Sequence, residues 1–277
     1  MVDTGAGETD IAGKGGLRGK TILIAGASSG IGRQVALQLA RYDTSLVVSA
    51  RSAGMLDSLA AEIRSLGSRC LAIPVDATDS AAVDASLSRA EAEAGPIDAA
   101  LLNIGAGPED HLPTATASEI TAAMRNNYDV TVNYLVPLVA RMRGRRGLIA
   151  HTNSLAGFVG VPMQAPYSAA KAAVRILMDT YRTELRGSGI RFLSIYPGFV
   201  ATERSADDGI PAPFEISTER CASRIISAME SHRDDVSFPW QTAALTRALR
   251  ILPKPLASRI MVSFVPAGWL DKPAANH

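Results

Sequence analysis

Six short runs dominated by β-branched and other apolar residues recur along the chain: "TILIAG" 21–26, "SLVVSA" 45–50, "CLAIPV" 70–75, "IDAALL" 97–102, "GLIAHT" 147–152 and "RFLSIY" 191–196. Between or after them, at 30–42, 54–66, 80–94, 118–143, 166–187 and 217–231, apolar residues fall at helical spacing. Few folds accept this alternation. Runs so uniformly apolar must be buried on both faces, and each connection is long enough to hold a helix. The pattern therefore predicts βα units forming a parallel sheet with helices on both faces.

A chain of 277 residues, 47% of them apolar, can bury one large core, so a single domain is expected. A formal net charge of +1 leaves no excess for a nucleic-acid partner and points to a small-molecule substrate. Cys70 and Cys221 cannot form a disulfide framework, and no Cys/His ligand cluster is present, so no metal is expected and the setting is a reducing cytoplasm. The opening "MVDTGAGETDIAGKGG" lacks the apolar core of a leader peptide, and no run of 18 apolar residues follows. The expected organisation is a disordered tail over 1–18, the sheet domain over 19–238 and an extension over 239–277. In the extension, "ALTRALRILPKPLASRIMVSFVPAGWL" reads as two amphipathic pieces split at Pro253 and Pro255.

"IAGASSGIG", ending at Gly32, closes the first strand and opens the first helix. Gly26, Gly30 and Gly32 permit a tight turn and close backbone approach, and a helix N-terminus there favours a diphosphate. The second strand ends "VVSARS". A reader of an unphosphorylated ribose usually offers a carboxylate at that point, whereas Arg51, followed by Ser52, suits a 2′-phosphate. NADP(H) is therefore the expected cofactor.

Tyr167 and Lys171, in "APYSAAKAAV", are four residues apart, and Lys171 is the sole lysine between Lys20 and Lys254. On a helix the two share a face. The ammonium, together with an oxidised nicotinamide ring, lowers the phenol from about 10 toward working pH, as a general acid/base requires.

These features together resemble the classical short-chain dehydrogenase/reductase family from about Lys20 to Thr202. In the family's order stand the glycine motif, Asp76, "LNIG" 102–105, Asn127, Ser154, Tyr167 with Lys171, and "PGFVAT" 197–202. The resemblance implies a single Rossmann-type doubly wound parallel sheet of about seven strands. It implies a carbonyl reductase or alcohol dehydrogenase in which Tyr167 exchanges the proton and Ser154 orients the substrate oxygen. Lys171 would hold the nicotinamide ribose, and Asn127 would support a water-linked proton relay. The implied cofactor set is Gly26, Ser28, Ser29, Gly30, Ile31, Gly32, Arg51, Ser52, Asp76, Ala77, Asn103, Gly105, Pro197, Gly198, Val200 and Thr202, shared with Tyr167 and Lys171. A homodimer or homotetramer is also implied. The rival readings are an NAD-preferring dehydrogenase and a cofactor-binding protein without catalysis.

Two positions depart from the family pattern. Ala25 stands where Thr is usual, and Leu102-Asn103-Ile104-Gly105 replaces Asn-Asn-Ala-Gly. Apolar packing between adjacent strand ends is expected to replace a polar contact there. His151 reads as a structural histidine and His111 as a solvated loop residue. Arg141, Arg143, Arg145 and Arg146 complement the dipole at the end of the longest helix, 118–143. Leu155, Gln164, Phe199 and the loop 203–216 are expected to shape the substrate pocket. The apolar stretch 241–270, which includes Trp269, is expected to pack on the pocket mouth or a neighbouring subunit, with peripheral membrane contact as the less favoured alternative.

Overall fold

The computed structural model describes residue 11 and residues 16–105, 115–203 and 212–265. The chain runs β1 (Thr21–Ala25), α1 (Gly30–Leu39), β2 (Ser45–Ala50), α2 (Ala53–Ser65), β3 (Arg69–Pro74), α3 (Ser80–Ala94) and β4 (Ala99–Leu102). It continues through α4 (Ala117–Met124), α5 (Val130–Met142), β5 (Gly147–Thr152), α6 (Ala165–Glu184), β6 (Ile190–Pro197), β7 (Val200–Ala201) and β8 (Ile216–Ser217). Last come α7 (Thr218–Met229), β9 (Asp235–Phe238), α8 (Trp240–Ile251) and α9 (Lys254–Val262).

Seven parallel strands form the main sheet in the order β3-β2-β1-β4-β5-β6-β9. The first three strands step one way from β1, and the chain then returns to β1's other side to add β4. In a sheet wound in this way, the connections leave β1 and β4 in opposite directions and open a crevice at their C-terminal ends.

The strand alternation sorts side chains into two layers. Ile22 and Ile24 of β1 join a core with α1, α2 and α7, through residues such as Val35, Leu56 and Ile225. Leu23 and Ala25 face the other way into a core with α3, α5 and α6, through Leu87, Leu135 and Val174. The departures at Ala25 and Leu102 meet here: the two are register partners, both fully buried in this second layer. Apolar packing fills the space where the family has polar groups.

Three differences from the sequence reading are physical. The segment 118–143 is helical without a break through Met142 but not uniformly α-helical, because a π-helical turn over Arg125–Asp129 joins α4 to α5. β9 escaped notice because its four residues, "DVSF", are too few to display a period. Leu17, inside the stretch expected as a tail, is fully buried in the first core layer together with Ile11. The rest of that tail, residues 1–10 and 12–15, lies outside the described residues, as do His111, residues 204–211 of the loop expected to shape the pocket, and Trp269.

Candidate active site

A cleft of about 1210 Å³ lies at the C-terminal ends of the strands, and every expected site residue except Gly32 and Asn127 lines it. Gly32 is buried within the first turn of α1, and a Cβ there would lie 2.1 Å from the Gly26 carbonyl oxygen. Gly26 itself has φ +82°, and a Cβ on it would come within 2.3 Å of the Asn103 carbonyl oxygen. The turn is thus closed on both sides by backbone, which only hydrogen can accommodate. Asn103 adds its side-chain amide, donating weakly to the Gly26 carbonyl at 3.4 Å.

No side chain caps the N-terminus of α1, and its first turn holds no acidic residue. An α-helix leaves its first amides without intrahelical acceptors and carries partial positive charge at that end. These residues therefore fit the diphosphate of a dinucleotide. Farther along the cleft, exposed Arg51 and Ser52 follow β2, and Asp76 follows β3. Hydrogen bonds from the Thr78 amide and hydroxyl hold the Asp76 carboxyl below its usual range, with a smaller pull from Arg51.

At the other end, α6 carries Tyr167 and Lys171 on successive turns, with Lys171 Nζ 5.6 Å from the Tyr167 ring centroid. Lys171 is buried and donates to the Thr152 carbonyl at 3.2 Å; no salt bridge joins it to a described residue. Burial lowers its pKa from 10.5 to about 8. The side chain is held from below by the end of β5. Asn153 Nδ2 donates to the Lys171 backbone carbonyl at 3.1 Å, and the Ser154 backbone amide donates to Asn153 Oδ1 at 2.8 Å. Ser154 Oγ accepts from the Ala156 amide at 3.1 Å, and no described residue takes its hydroxyl hydrogen. That hydrogen is available to an oxygen in the cleft.

Asn127 is fully buried in the π-helical turn. Its side-chain Nδ2 donates to the Ala123 carbonyl at 3.0 Å, and its backbone carbonyl accepts from Thr131 Oγ1 at 2.9 Å. Gly105, at φ +128°, brings its backbone against the Asn127 side chain: a Cβ there would lie 2.4 Å from Asn127 Oδ1 and 3.4 Å from Lys171 Nζ. Turns of this kind add a residue to the helix and occur frequently at functional sites.

His151 is fully buried, with Nε2 3.5 Å from Thr131 Oγ1 and Nδ1 without a partner among the described residues. Burial, then the nearby Lys171 ammonium, holds its pKa well below the ordinary value, so the ring is neutral. Arg141 and Arg145 are tied to Asp84 and Glu91 across α3 rather than forming a basic surface. No group able to hold a metal ion occurs among the described residues.

Sequence reasoning overlooked Asn153, although the triplet "TNS" displays it, and the Thr152 carbonyl, for which no residue type is a signal. It marked 241–270 only as a block. Leu245, Leu249 and Met261 from α8 and α9 line the cleft, as do the expected Leu155, Gln164 and Phe199.

The family model for short chain dehydrogenase matches residues 20–209. An uncharacterized oxidoreductase of Myxococcus xanthus (strain DK1622) is 34% identical over 238 residues, covering 86% of this chain and 94% of that protein. Ketoacyl reductase HetN of Nostoc sp. (strain PCC 7120 / SAG 25.82 / UTEX 2576) is 30% identical over 225 residues, 79% of this chain and 78% of that one. The crystal structure of a short-chain type dehydrogenase/reductase from Mycobacterium marinum superposes with a TM-score of 0.74 at 30% identity, over 80% of this chain and 94% of that one. With the sheet order, the glycine turn and the match over most of its length in agreement, this chain belongs to the short-chain dehydrogenase/reductase family of nicotinamide-dependent oxidoreductases.

Proposed function

We propose that the chain interconverts a carbonyl group and a secondary alcohol on a small to medium, partly apolar substrate, with NADP(H) as its cofactor. One observation carries this reading: the buried Lys171 ammonium beside the Tyr167 ring, in a cleft continuous with the glycine turn of α1. When bound, the cofactor supplies or accepts the hydride. Tyr167 donates a proton to the substrate oxygen in reduction and takes it back in oxidation. Ser154 donates its hydroxyl hydrogen to the same oxygen and fixes its position. The Lys171 ammonium favours the phenolate that Tyr167 becomes. Asn127 Oδ1 and Lys171 Nζ both lie against Gly105, an arrangement in keeping with a proton relay behind the lysine. The likeness to a ketoacyl reductase supports a carbonyl substrate. The test is a screen of ketones and alcohols with NADPH, NADH and their oxidised forms. Failure of every carbonyl compound to oxidise NADPH or NADH would leave the cofactor-binding reading without catalysis.

Arg51 carries the choice of NADP(H). A guanidinium that binds a phosphate through charged hydrogen bonds is worth about 1.5–3 kcal/mol, roughly 10- to 150-fold in kcat/KM. Arg51→Asp is expected to lower kcat/KM for NADPH by that factor and to favour NADH, since the new carboxylate repels a 2′-phosphate and can accept from a ribose hydroxyl. Retained preference for NADPH would assign discrimination elsewhere.

We further propose a homo-oligomer assembled through α5 and α6, where Val136 and Ile176 are about half exposed. Light scattering showing a monomer at micromolar concentration would contradict this. The free thiols of Cys70 and Cys221 support a cytoplasmic setting. Among the described residues, no helix is long and apolar enough to cross a membrane.

A further inference from the structure

The α8 helix has two sides that carry apolar residues, and the fold buries only one. On α8, Thr242, Ala243, Thr246 and Leu249 are buried. Trp240, Ala244, Arg247, Ala248 and Ile251 recur every three to four residues along the opposite stripe and are exposed. Trp240 and Ile251 are 74% and 85% exposed, the highest values among the large apolar side chains described. Next to them, α9 has no buried residue and adds exposed Leu256 and Val262.

The charge on these two helices has one sign. From Pro239 to Val265 the sequence holds Arg247, Arg250, Lys254 and Arg259 and no Asp or Glu, in a chain with 27 acidic residues. Arg250 lies over the Phe158 ring, and Arg247, Lys254 and Arg259 are exposed. A second copy meeting this face through a twofold axis would set these cations against their own kind, with no carboxylate on either helix to pair them. An anionic lipid surface matches both halves of the pattern, because it takes apolar side chains and Trp at the headgroup boundary and attracts Lys and Arg.

The inner sides of the same helices line the cleft with Leu245, Leu249 and Met261, and Phe264 and Val265 follow directly. The cleft mouth and the apolar outer face therefore belong to one unit. We propose that α8 and α9 dock on an anionic lipid surface through Trp240, Ile251, Leu256 and Val262. Resting on the carbonyl-reduction reading, the substrate is then an apolar carbonyl compound taken from that surface; the docking itself does not depend on the chemistry.

Sedimentation of the full-length chain with vesicles tests this. Binding is expected to vesicles of phosphatidylcholine mixed with phosphatidylglycerol, weakened by salt, and not to phosphatidylcholine alone. The triple change Arg247→Gln, Lys254→Gln, Arg259→Gln should weaken binding about 100-fold, at about fivefold per cation. Trp240→Ser combined with Ile251→Ser should abolish it. Both variants should keep the parent's turnover of a water-soluble ketone. A parent chain that ignores the mixed vesicles, or a charge variant that binds them as well as the parent, overturns the docking. If the parent ignores vesicles and the Trp240→Ser, Ile251→Ser variant is a smaller species by light scattering, a second copy is the occupant and the proposal is overturned. Vesicle binding as expected with no ketone turned over leaves the docking standing and removes the carbonyl-reduction reading.

Discussion

Tyr167→Phe is expected to lower kcat by a factor of about 10² to 10⁴, the range for losing a general acid, or about 3–5.5 kcal/mol of transition-state stabilisation. The dissociation constant for NADPH should stay near that of the parent. The substitution separates the two because it keeps the ring beside Lys171 Nζ and removes only the hydroxyl. Steady-state rates at saturating cofactor, with a fluorescence titration of NADPH, check both halves. A Phe variant with near-parental kcat would take proton transfer away from Tyr167. A variant that lost NADPH binding as well would make the hydroxyl a binding group.

Gly32→Ala should cost about 3 kcal/mol or more in folding stability, the upper range for forcing a methyl group into a packed site. The methyl would lie 2.1 Å from the Gly26 oxygen and 2.9 Å from Asn103 Nδ2. Little can yield, because Gly26 is pinned in turn by the Asn103 carbonyl. Gly54, in the first turn of α2, is the contrasting case: a Cβ there meets nothing within 4 Å. Gly54→Ala should raise stability by about 0.5–1 kcal/mol through better helix propensity and a less flexible unfolded chain. Urea midpoints of the two variants against the parent settle the matter. Equal midpoints for Gly32→Ala and the parent would mean that the turn opens without penalty.

What could be read from the sequence followed from how local each signal is. The five central strands, β1, β2, β4, β5 and β6, are buried on both sides or nearly so, and their residue types declare this without knowledge of partners; β3, at the sheet edge and only partly buried, shows the same residue types. Tyr167 and Lys171 were legible for the same reason, since four residues on one helix need no tertiary information. Ser154 and Asn127 come from other elements, and only the family's spacing tied them to the pair. Nothing in residue type announces the carbonyl of Thr152 as the acceptor for Lys171, because every residue has a carbonyl. The π-helical turn at Asn127 is equally silent, as apolar spacing on either side of it looks helical. At the C-terminus, periodicity revealed that α8 has a face to bury. It could not reveal that the opposite face is apolar as well, since an exposed Trp and Ile read the same as buried ones.

The burial of Lys171 ties ligand capture to folding through a single proton. Its pKa is near 10.5 in the unfolded chain and about 8 in the fold. Between these values the unfolded chain holds more protons, so this group's contribution to stability rises as the pH climbs from about 8 to about 10.5 and is least favourable below 8. An anionic dinucleotide in the cleft provides the countercharge that the described residues do not offer, and this acts while the lysine is protonated. The rise in melting temperature caused by NADPH should therefore be largest below about pH 8, shrink above it, and lose that pH dependence in Lys171→Met. A shift independent of pH in the parent would show the ammonium to be indifferent to the ligand. Under the expected result the ligand is an electrostatic part of the folded state, and the concentration of cofactor in the cell sets how much of this chain survives thermal challenge.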